Sequence, residues 1–307
     1  MRTPVIFLIF NRPQYTKRVF AEIAKAKPPK LLIVADGPRP DRPGEADKCA
    51  ATREVLEHVD WECELLKNYS DINLGCRRRV ASGISWVFEQ VEEAIILEDD
   101  TLPHPTFFPF CEELLEKYRR DERVMHISGN NYQLGRRADA HSYYFSQYDH
   151  IWGWASWRRA WRHYDVEMKL WPRLRDTAWL SEILDDEAAA RWWRHNLDQV
   201  WASQVDTWDS QWVFTIWRQG ALSITPDVNL VSNIGFGNNS THTDATDSPL
   251  SSLSLGEMVF PLRHPPRMAP DREADRFAFE VACAPGRRPQ PAGFFERAGR
   301  RLSNLLS

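Results

Sequence analysis

Apolar runs of strand length alternate with amphipathic segments over the first 130 residues. Residues 5–10 form a continuous apolar run, and residues 14–27 carry apolar side chains at helical spacing. A run without polar alternation predicts a strand that is buried on both faces of a parallel sheet. Further strands are predicted at 31–35, 64–68, 94–97 and 124–129, and further helices at 45–58, 76–91 and 105–119. This alternation predicts an α/β fold with a Rossmann-like sheet.

The pattern changes after the fifth predicted strand. Residues 141–220 are rich in Trp, and we predict mainly helices and loops there, with an aromatic-lined surface. Short strands are predicted near 221–224 and 228–234. Residues 235–260, rich in Gly, Asn, Ser and Thr, indicate a mobile loop. Residues 263–290, rich in Pro and Arg, indicate an extended segment.

Composition narrows the function classes. The 307 residues carry 39 basic and 43 acidic side chains, and a net charge of −4 gives no reason to expect a nucleic-acid partner. Five Cys without CxxC spacing indicate neither a disulfide framework nor a zinc site. No signal-peptide pattern and no apolar run of about 18 residues is present. These features favour a cytoplasmic protein.

Acidic residues follow two of the predicted strands. Glu98, Asp99 and Asp100 come directly after 94–97, and Asp36 comes after 31–35. Ligands of open α/β sheets bind outside the carboxyl ends of the strands. Three adjacent carboxylates repel one another, and Mg²⁺ or Mn²⁺ relieves that repulsion and neutralises a diphosphate leaving group. A solvated acidic loop is the alternative, but the position after a buried strand favours a cation site.

The acidic triplet also carries a resemblance to a known family. Residues 94–102 with Phe107 and Phe108 resemble the donor-site strand of GT-A glycosyltransferases, in particular the N-acetylglucosaminyltransferase I type, whose motif also reads EDD after apolar residues. Three further segments resemble the family's motifs in the same order. Residues 9–13 resemble its first strand and Arg-bearing turn, and residues 151–155 resemble its Gly/Trp acceptor-side loop. Residues 208–226 resemble its Trp-Asp segment followed by RxG and Pro. The chain is also similar to bacterial family 2-like glycosyltransferases. Its Trp-Asp segment has one Asp where the family has two.

The resemblance implies a domain organisation and an activity. It implies a GT-A mixed sheet flanked by helices, with a catalytic domain over 1–262, divided into a nucleotide-sugar-binding half (1–130) and a Trp-rich acceptor-side half (131–262). Residues 263–307 would form an extension. The implied activity is inverting transfer from a nucleoside-diphosphate sugar, UDP-linked by expectation, to a glycan or lipid-linked glycan.

Two alternatives to glycosyl transfer stay open. A nucleotidyltransferase on a GT-A-like fold would need a Gly-rich basic loop near the N-terminus, which residues 11–13 do not provide. A non-catalytic carbohydrate-binding surface protein would use the Trp-rich region but would not need an acidic triplet at a strand end.

The resemblance also implies roles for single residues. Asp100 and His242 would bind Mn²⁺ or Mg²⁺, and Glu98 and Asp99 would contact the donor's sugar and ribose. Asp36 would contact the base or ribose, and Arg12 the ribose or diphosphate. For Asp36 the alternative is a simple Asp-Gly turn. For Arg12 the alternative is a charged side chain at the surface.

A basic segment begins the helix predicted at 76–91. Residues 73–79 read Asn-x-Gly-x-Arg-Arg-Arg, similar to the family's start of a helix that lines the diphosphate. Positive side chains at a helix N-terminus oppose the macrodipole, and an anionic ligand would offset that cost. Arg79 and Arg77 are the predicted ligands, and a solvated basic turn is the alternative.

The acceptor side has its own candidates. Asp209 would be the general base that takes the proton of the attacking hydroxyl, with Asp206 as its rival. The alternative for Asp209 is capping of a helix near Ser210. Trp152, Gly153 and Trp154 would contact the acceptor, while several of the other Trp residues would be core.

Two segments near the C-terminus have predicted mobile or surface functions. The loop 235–247 carries Gly235, Gly237 and His242, and we expect it to close on the bound donor. Residues 294–306 predict a basic amphipathic helix. Such a helix binds at the inner face of a membrane, or else packs on its own domain or on a second subunit.

Overall fold

A computed structural model describes residues 1–136, 140–236 and 249–283. The strands are β1 (Val5–Ile9), β2 (Lys30–Ala35), β3 (Glu64–Tyr69), β4 (Glu93–Glu98), β5 (Thr101–Pro103), β6 (Val124–Ser128), β7 (Tyr143–Ser146), β8 (Trp154–Trp157), β9 (Leu222–Pro226) and β10 (Val231–Asn233). The helices are α1 (Pro13–Ala26), α2 (Glu45–Glu54), α3 (Gly75–Gln90), α4 (Phe107–Tyr118), α5 (Arg158–Trp161), α6 (Trp171–Leu174), α7 (Trp179–Leu184), α8 (Glu187–Trp201), α9 (Asp209–Arg218) and α10 (Arg272–Cys283), with a 3₁₀ turn at Pro249–Ser252.

Eight strands form one mixed sheet in the order β3-β2-β1-β4-β8-β6-β9-β7. The four strands β1 to β4 are parallel, and β6 and β9 are parallel to each other. Strand β8 runs antiparallel to β4 and β6, β7 runs antiparallel to β9, and β5 and β10 pair separately. The predicted fold class, a Rossmann-like α/β fold with a mixed sheet flanked by helices, is confirmed.

Strand β1 shows why its sequence lacks polar alternation. Val5, Phe7 and Ile9 pack into a core with α1 and α4, whereas Ile6 and Leu8 pack into a second core with α3 and α9. Both faces of the sheet are therefore covered by helices, and burial of every apolar side chain of the strand stabilises it.

Strand β8 is a correction to the prediction of helices and loops over 141–220. It lies in the centre of the sheet, where Trp154 pairs with Ile96 and Ala155 pairs with Ile127. Four residues are too few to show an alternating pattern, and its partners are distant in sequence. The Trp-rich region is also mostly interior. Five of its Trp side chains are each at most 2% exposed, namely Trp154, Trp157, Trp171, Trp208 and Trp212. The predicted aromatic surface is in large part core.

Helix α10 is a second correction, because an extended segment was predicted there. Asp275 accepts hydrogen bonds from the Ser146 hydroxyl and the Gln147 amide, and Phe279 packs against Tyr148. This part of the extension therefore completes the core of the preceding residues. The segment 294–306 lies outside the described residues. Within the described part of the chain, no helix combines the length and apolar character needed to cross a membrane.

Candidate active site

A cavity of about 670 Å³ lies at the carboxyl ends of β1, β2 and β4. Its wall on the opposite side comes from residues 205–210, at the start of α9. Predicted site residues that line it are Arg12, Asp36, Arg79, Glu98, Asp99, Asp100, Trp152 and Asp209. The cavity has the position at which open α/β sheets bind their ligands.

The acidic triplet forms the cavity floor. The Thr101 hydroxyl accepts a hydrogen bond from the Glu98 amide and donates one to the Glu98 carbonyl, so the chain turns tightly after β4. Burial, followed by the charges of the neighbouring carboxylates, raises the pKa of Glu98 and of Asp99. Burial also raises the pKa of Asp100. Ionising all three groups is therefore costly here, and a cationic ligand would lower that cost.

Arg12 partly neutralises the triplet. Its Nη1 lies 2.6 Å from Asp100 Oδ2 and 3.2 Å from Asp99 Oδ1. The amide of Phe10 donates to Asp99 Oδ2 at 3.1 Å. Arg12 was predicted to meet the ribose or diphosphate, and in this structure its guanidinium holds the two aspartates. None of the ion pairs among the described residues involves Glu98, so the floor keeps an excess of acidic groups.

The carboxylates suit a hard divalent cation, but they do not form a complete protein site. Within the ranges that the structure describes, no group of three or more His, Cys, Asp or Glu side chains is arranged to hold a metal ion. A cation at Asp100 would therefore need further oxygen ligands from substrate phosphates and water. Mg²⁺ is bound in this way in many phosphate-handling sites.

The chain that leaves β10 passes directly over Asp100. The Ile234 amide donates to the Asp100 carbonyl at 2.8 Å. A Cβ added to Gly235 would lie 2.4 Å from Asp100 Oδ2, closer than any real contact. The segment that leads to His242 therefore starts against the predicted metal ligand. Gly237 and His242 themselves lie outside the described residues.

Gly235 gives a first testable prediction. The added methyl group of Gly235→Ala must displace the Asp100 carboxylate. Overpacking costs about 1–3 kcal/mol, so we expect the affinity for a nucleoside diphosphate with Mn²⁺ to fall roughly tenfold to a hundredfold. Calorimetric titration measures this loss. Gly220→Ala is the control, since its methyl group would meet no atom within 4 Å and strains only the local backbone. Equal affinities in both variants would contradict the assignment.

Asp36 ties the end of β2 to the start of α3. Its carboxylate accepts hydrogen bonds from the amides of Gly37, Leu74 and Gly75 and from the side-chain amide of Asn73. These donors occupy both carboxylate oxygens, and burial nevertheless raises the pKa of Asp36. Asp36 therefore has a structural role at this helix start. It also lines the cavity, and its contact with a base or ribose stays a prediction.

Asp206 completes the N-terminus of α3. Its two oxygens accept from the amides of Cys76, at 2.9 Å, and Arg77, at 3.0 Å. Together with Asp36 it satisfies the four N–H groups that the helix start leaves without partners. The anion expected at this basic helix start is thus supplied by the protein itself, from a loop about 130 residues away in sequence.

Arg77 and Arg79 are engaged with the main chain. Arg77 donates to the carbonyls of Val166 and Val200 and does not line the cavity. Arg79 lines the cavity, but it donates to the carbonyls of Ala35 and Asn68 at the ends of β2 and β3. Both guanidinium groups therefore have structural roles. The position of Arg77 outside the cavity contradicts its predicted diphosphate contact, whereas the diphosphate contact of Arg79 stays a prediction.

The capping role of Asp206 gives a second prediction. Asp206→Ala should lower the free energy of unfolding by about 0.5–2 kcal/mol, the usual cost of losing a helix cap. Urea denaturation of the variant and the wild type measures this difference. Asp176→Ala is the control, because its side chain is 85% exposed and caps no helix. A general base at Asp206 would instead lower turnover with unchanged stability.

Asp209 is the first residue of α9. Its Oδ1 accepts from the Ser210 amide at 2.7 Å and from the Thr207 hydroxyl, and no hydrogen bond among the described residues uses Oδ2. Asp209 also lines a second cavity of about 230 Å³. The carboxylate is therefore oriented through one oxygen, makes no side-chain capping bond to α9, and stands where the two cavities meet.

No family model matches the chain, and no curated protein is similar to it in sequence. Solved structures with a partial likeness include the mannosyltransferase PcManGT from Pyrobaculum calidifontis in complex with GDP-Man and Mn²⁺. The identity is 14%, with 71% of this chain and 69% of that chain covered and a TM-score of 0.37. An apo UDP-glucose pyrophosphorylase has 9% identity, 72% and 90% coverage and a TM-score of 0.36. Mouse xyloside xylosyltransferase 1 has 10% identity, 70% and 81% coverage and a TM-score of 0.33.

These neighbours are enzymes named for nucleotide-sugar or sugar-transfer reactions. The likenesses are too low to assign this chain to a family or to an activity.

The three residues of the predicted acceptor loop, Trp152 to Trp154, lie in different environments. Trp152 lines the cavity and packs edge-to-face on Tyr132. Gly153 has φ of +63°, and a Cβ there would lie 2.8 Å from Val231, so the turn requires glycine. Trp154 is fully buried and stacks on Trp208 within the core. The prediction that Trp154 meets a sugar ring is corrected by this burial.

Helix α8 brings residues to the site that the sequence analysis did not single out. Asn196 lines both cavities, and Trp192 and Trp193 line the second one. Their spacing of three and four residues places them on neighbouring positions of one helical face. That spacing was a usable signal, but it is equally typical of core residues in a Trp-rich segment.

Proposed function

We propose that the protein is a metal-dependent glycosyltransferase that uses a nucleoside-diphosphate sugar. The observation that carries this proposal is the acidic triplet on the floor of the 670 Å³ cavity, in which Asp99 is buried and Glu98 and Asp100 are half-buried. That volume falls in the range of about 300–1,000 Å³ typical of small-molecule sites. A diphosphate with a divalent cation matches an acidic floor, whereas an uncharged sugar alone would not need one.

The donor would lie across the carboxyl ends of the parallel strands. Asp100 would bind Mn²⁺ or Mg²⁺ together with diphosphate oxygens, and a bound cation would supply neutralisation of the leaving group. Glu98 and Asp99 would face the donor's sugar and ribose. His242 is proposed as a further ligand, and the contact of Gly235 with Asp100 supports this. UDP is the first nucleotide to test, because the sequence resembles UDP-sugar enzymes.

Asp209 would be the general base of an inverting transfer. An acceptor hydroxyl would attack the anomeric carbon from the side opposite the diphosphate, and Asp209 would take its proton. The position between two cavities supports this role, because the donor and acceptor can approach the carboxylate from different sides. We propose a glycan or lipid-linked glycan as the acceptor.

A panel of nucleotide sugars tests the proposal. UDP-, GDP- and other nucleoside-diphosphate sugars are incubated with the protein and Mn²⁺, Mg²⁺ or EDTA, and release of nucleoside diphosphate is measured. We expect cation-dependent release from one donor class. Formation of a nucleoside triphosphate from pyrophosphate and the sugar nucleotide would instead identify a nucleotidyltransferase. Sugar binding without any nucleotide binding would identify a carbohydrate-binding protein.

A further inference from the structure

The second cavity adjoins the first at Asp209. Ile151, Asn196, Asp209 and Ser210 line both, so they form the wall that the two cavities share. With about 230 Å³, the second cavity is smaller than the range of about 300–1,000 Å³ typical of drug-sized ligands. It therefore has room for a single sugar ring whose hydroxyls reach the Asp209 carboxylate.

Aromatic side chains form the far wall of this cavity. Trp193 stacks on Tyr148 with ring centroids 6.1 Å apart and meets Trp192 edge-on at 5.0 Å. Phe279 of α10 also stacks on Tyr148, with ring centroids 6.4 Å apart. Mutual packing holds these rings rigid, and rigid amphipathic rings offer contact area at low entropic cost. The C–H face of a pyranose is a suitable partner for such a wall.

Two buried polar groups of the wall lack partners. Asp149 Oδ2 and His150 Nε2 are inaccessible to water and have no hydrogen-bond partner among the residues that the structure describes. A buried polar group without a partner destabilises the site that holds it. Burial, followed by the charge of Asp209, raises the pKa of Asp149 well above its ordinary value. Ligand hydroxyls can both donate and accept, so a small shift of these side chains would satisfy them.

The charges of the wall select among sugars. No Lys or Arg is among the described residues that line the second cavity, whereas Asp149 and Asp209 both are. A carboxylated or phosphorylated ring would enter without a counter-charge and would lie beside the Asp209 carboxylate, and Asp149, whose pKa is raised well above its ordinary value, supplies no counter-charge either. A like-charge contact of this kind weakens binding in a buried site.

We infer that the second cavity is the subsite for the reacting ring of the acceptor, and that this ring is a single uncharged pyranose. Asp149 hydrogen-bonds its hydroxyls, and Trp192 and Trp193 pack on its face. The inference rests on the proposed glycosyltransferase function. It adds the chemical class of the acceptor and the residues that select it.

The first test compares sugars that differ only in charge. Saturation-transfer NMR measures binding of methyl glucoside and methyl galactoside, and of the corresponding methyl uronides, with and without UDP and Mn²⁺. We expect saturable binding of the neutral sugars and at least roughly tenfold weaker binding of the uronides, a difference of about 1.4 kcal/mol or more. Uronides that bind as tightly as the neutral sugars, or no binding of any sugar, would overturn the inference.

Paired variants locate the binding site. Trp192→Ala should abolish saturable binding of the neutral sugar, whereas Trp201→Ala on the same helix should not, because Trp201 is 41% exposed and lies outside the cavity. Equal binding by both variants would place the sugar elsewhere.

Ala282 is an exposed residue at the cavity rim. Ala282→Lys should therefore improve uronide binding roughly tenfold relative to Ala282→Gln, by supplying a counter-charge.

The surface variants at Ala282 keep the test decisive even if Trp192→Ala fails to fold. Failure of the function and failure of the subsite are also separable. If nucleoside diphosphates do not bind but the neutral sugar still depends on Trp192, the glycosyltransferase proposal fails and the sugar site stands. If nucleotides bind with Mn²⁺ and the sugars do not respond to Trp192 or Ala282, only the subsite fails.

Discussion

Asp209→Asn is expected to slow sugar transfer by roughly 10²–10⁴-fold, the usual contribution of a positioned general base. The amide can keep the hydrogen bonds to Ser210 and Thr207 that orient the side chain, but it cannot accept the hydroxyl proton. Affinity for UDP with Mn²⁺ should change little, because Asp209 makes none of the proposed contacts with the nucleotide or the cation. Steady-state turnover and calorimetric titration measure the two quantities separately.

Asp206→Asn is the matched control for this experiment. The two aspartates are three residues apart and both line the large cavity, but both oxygens of Asp206 are held by amides of α3. Its variant should retain most of the turnover and lose stability. Wild-type turnover in Asp209→Asn would move the base to another group, and a large loss of turnover in Asp206→Asn at unchanged stability would indicate Asp206.

Asp100→Asn is expected to remove the cation dependence of nucleotide binding. An uncharged amide is a poor ligand for Mg²⁺ or Mn²⁺ beside a diphosphate, and the change also breaks the 2.6 Å contact with Arg12. The affinity for UDP with Mn²⁺ should fall to the value measured in EDTA. Calorimetry in both buffers gives this comparison.

Asp121→Asn controls for the loss of one acidic residue. Asp121 pairs with Arg123 at the protein surface and lies outside both cavities. Its variant should bind UDP with the wild-type cation dependence. Cation-dependent binding that persists in Asp100→Asn would remove Asp100 from the metal site and leave Glu98 or Asp99 as the ligand.

The parallel half of the sheet was predictable because its strands are buried on both faces. A strand such as β1 has no polar face, so its apolar run stands out without any knowledge of its partners. Strand β8 was not predictable in this way. It has four residues, and it is held in the sheet by β4 and β6, which no local pattern connects to it. Helix α10 was likewise obscured by the Pro- and Arg-rich composition around it.

The position of the acidic triplet in the cavity was predictable, because it depends only on where a buried strand ends. Glu98, Asp99 and Asp100 needed only the end of β4 to be placed at a ligand-binding edge. The assignments of Arg77 and Arg79 assumed that the start of α3 lacked an anion. Asp206, which supplies one, is distant in sequence, and its contact with Cys76 cannot be read from local pattern. Contacts between residues that are distant in sequence account for most of the structural features that the sequence did not predict.

Calorimetric titration of the wild-type protein with UDP and GDP, in Mn²⁺ and again in EDTA, tests the central claim most directly. The account predicts saturable binding of at least one nucleoside diphosphate at one site per chain in Mn²⁺, and its loss in EDTA. Binding that is equally strong in EDTA, or no binding of either nucleotide in Mn²⁺, would contradict a cation-dependent nucleotide-sugar site at the carboxyl end of β4.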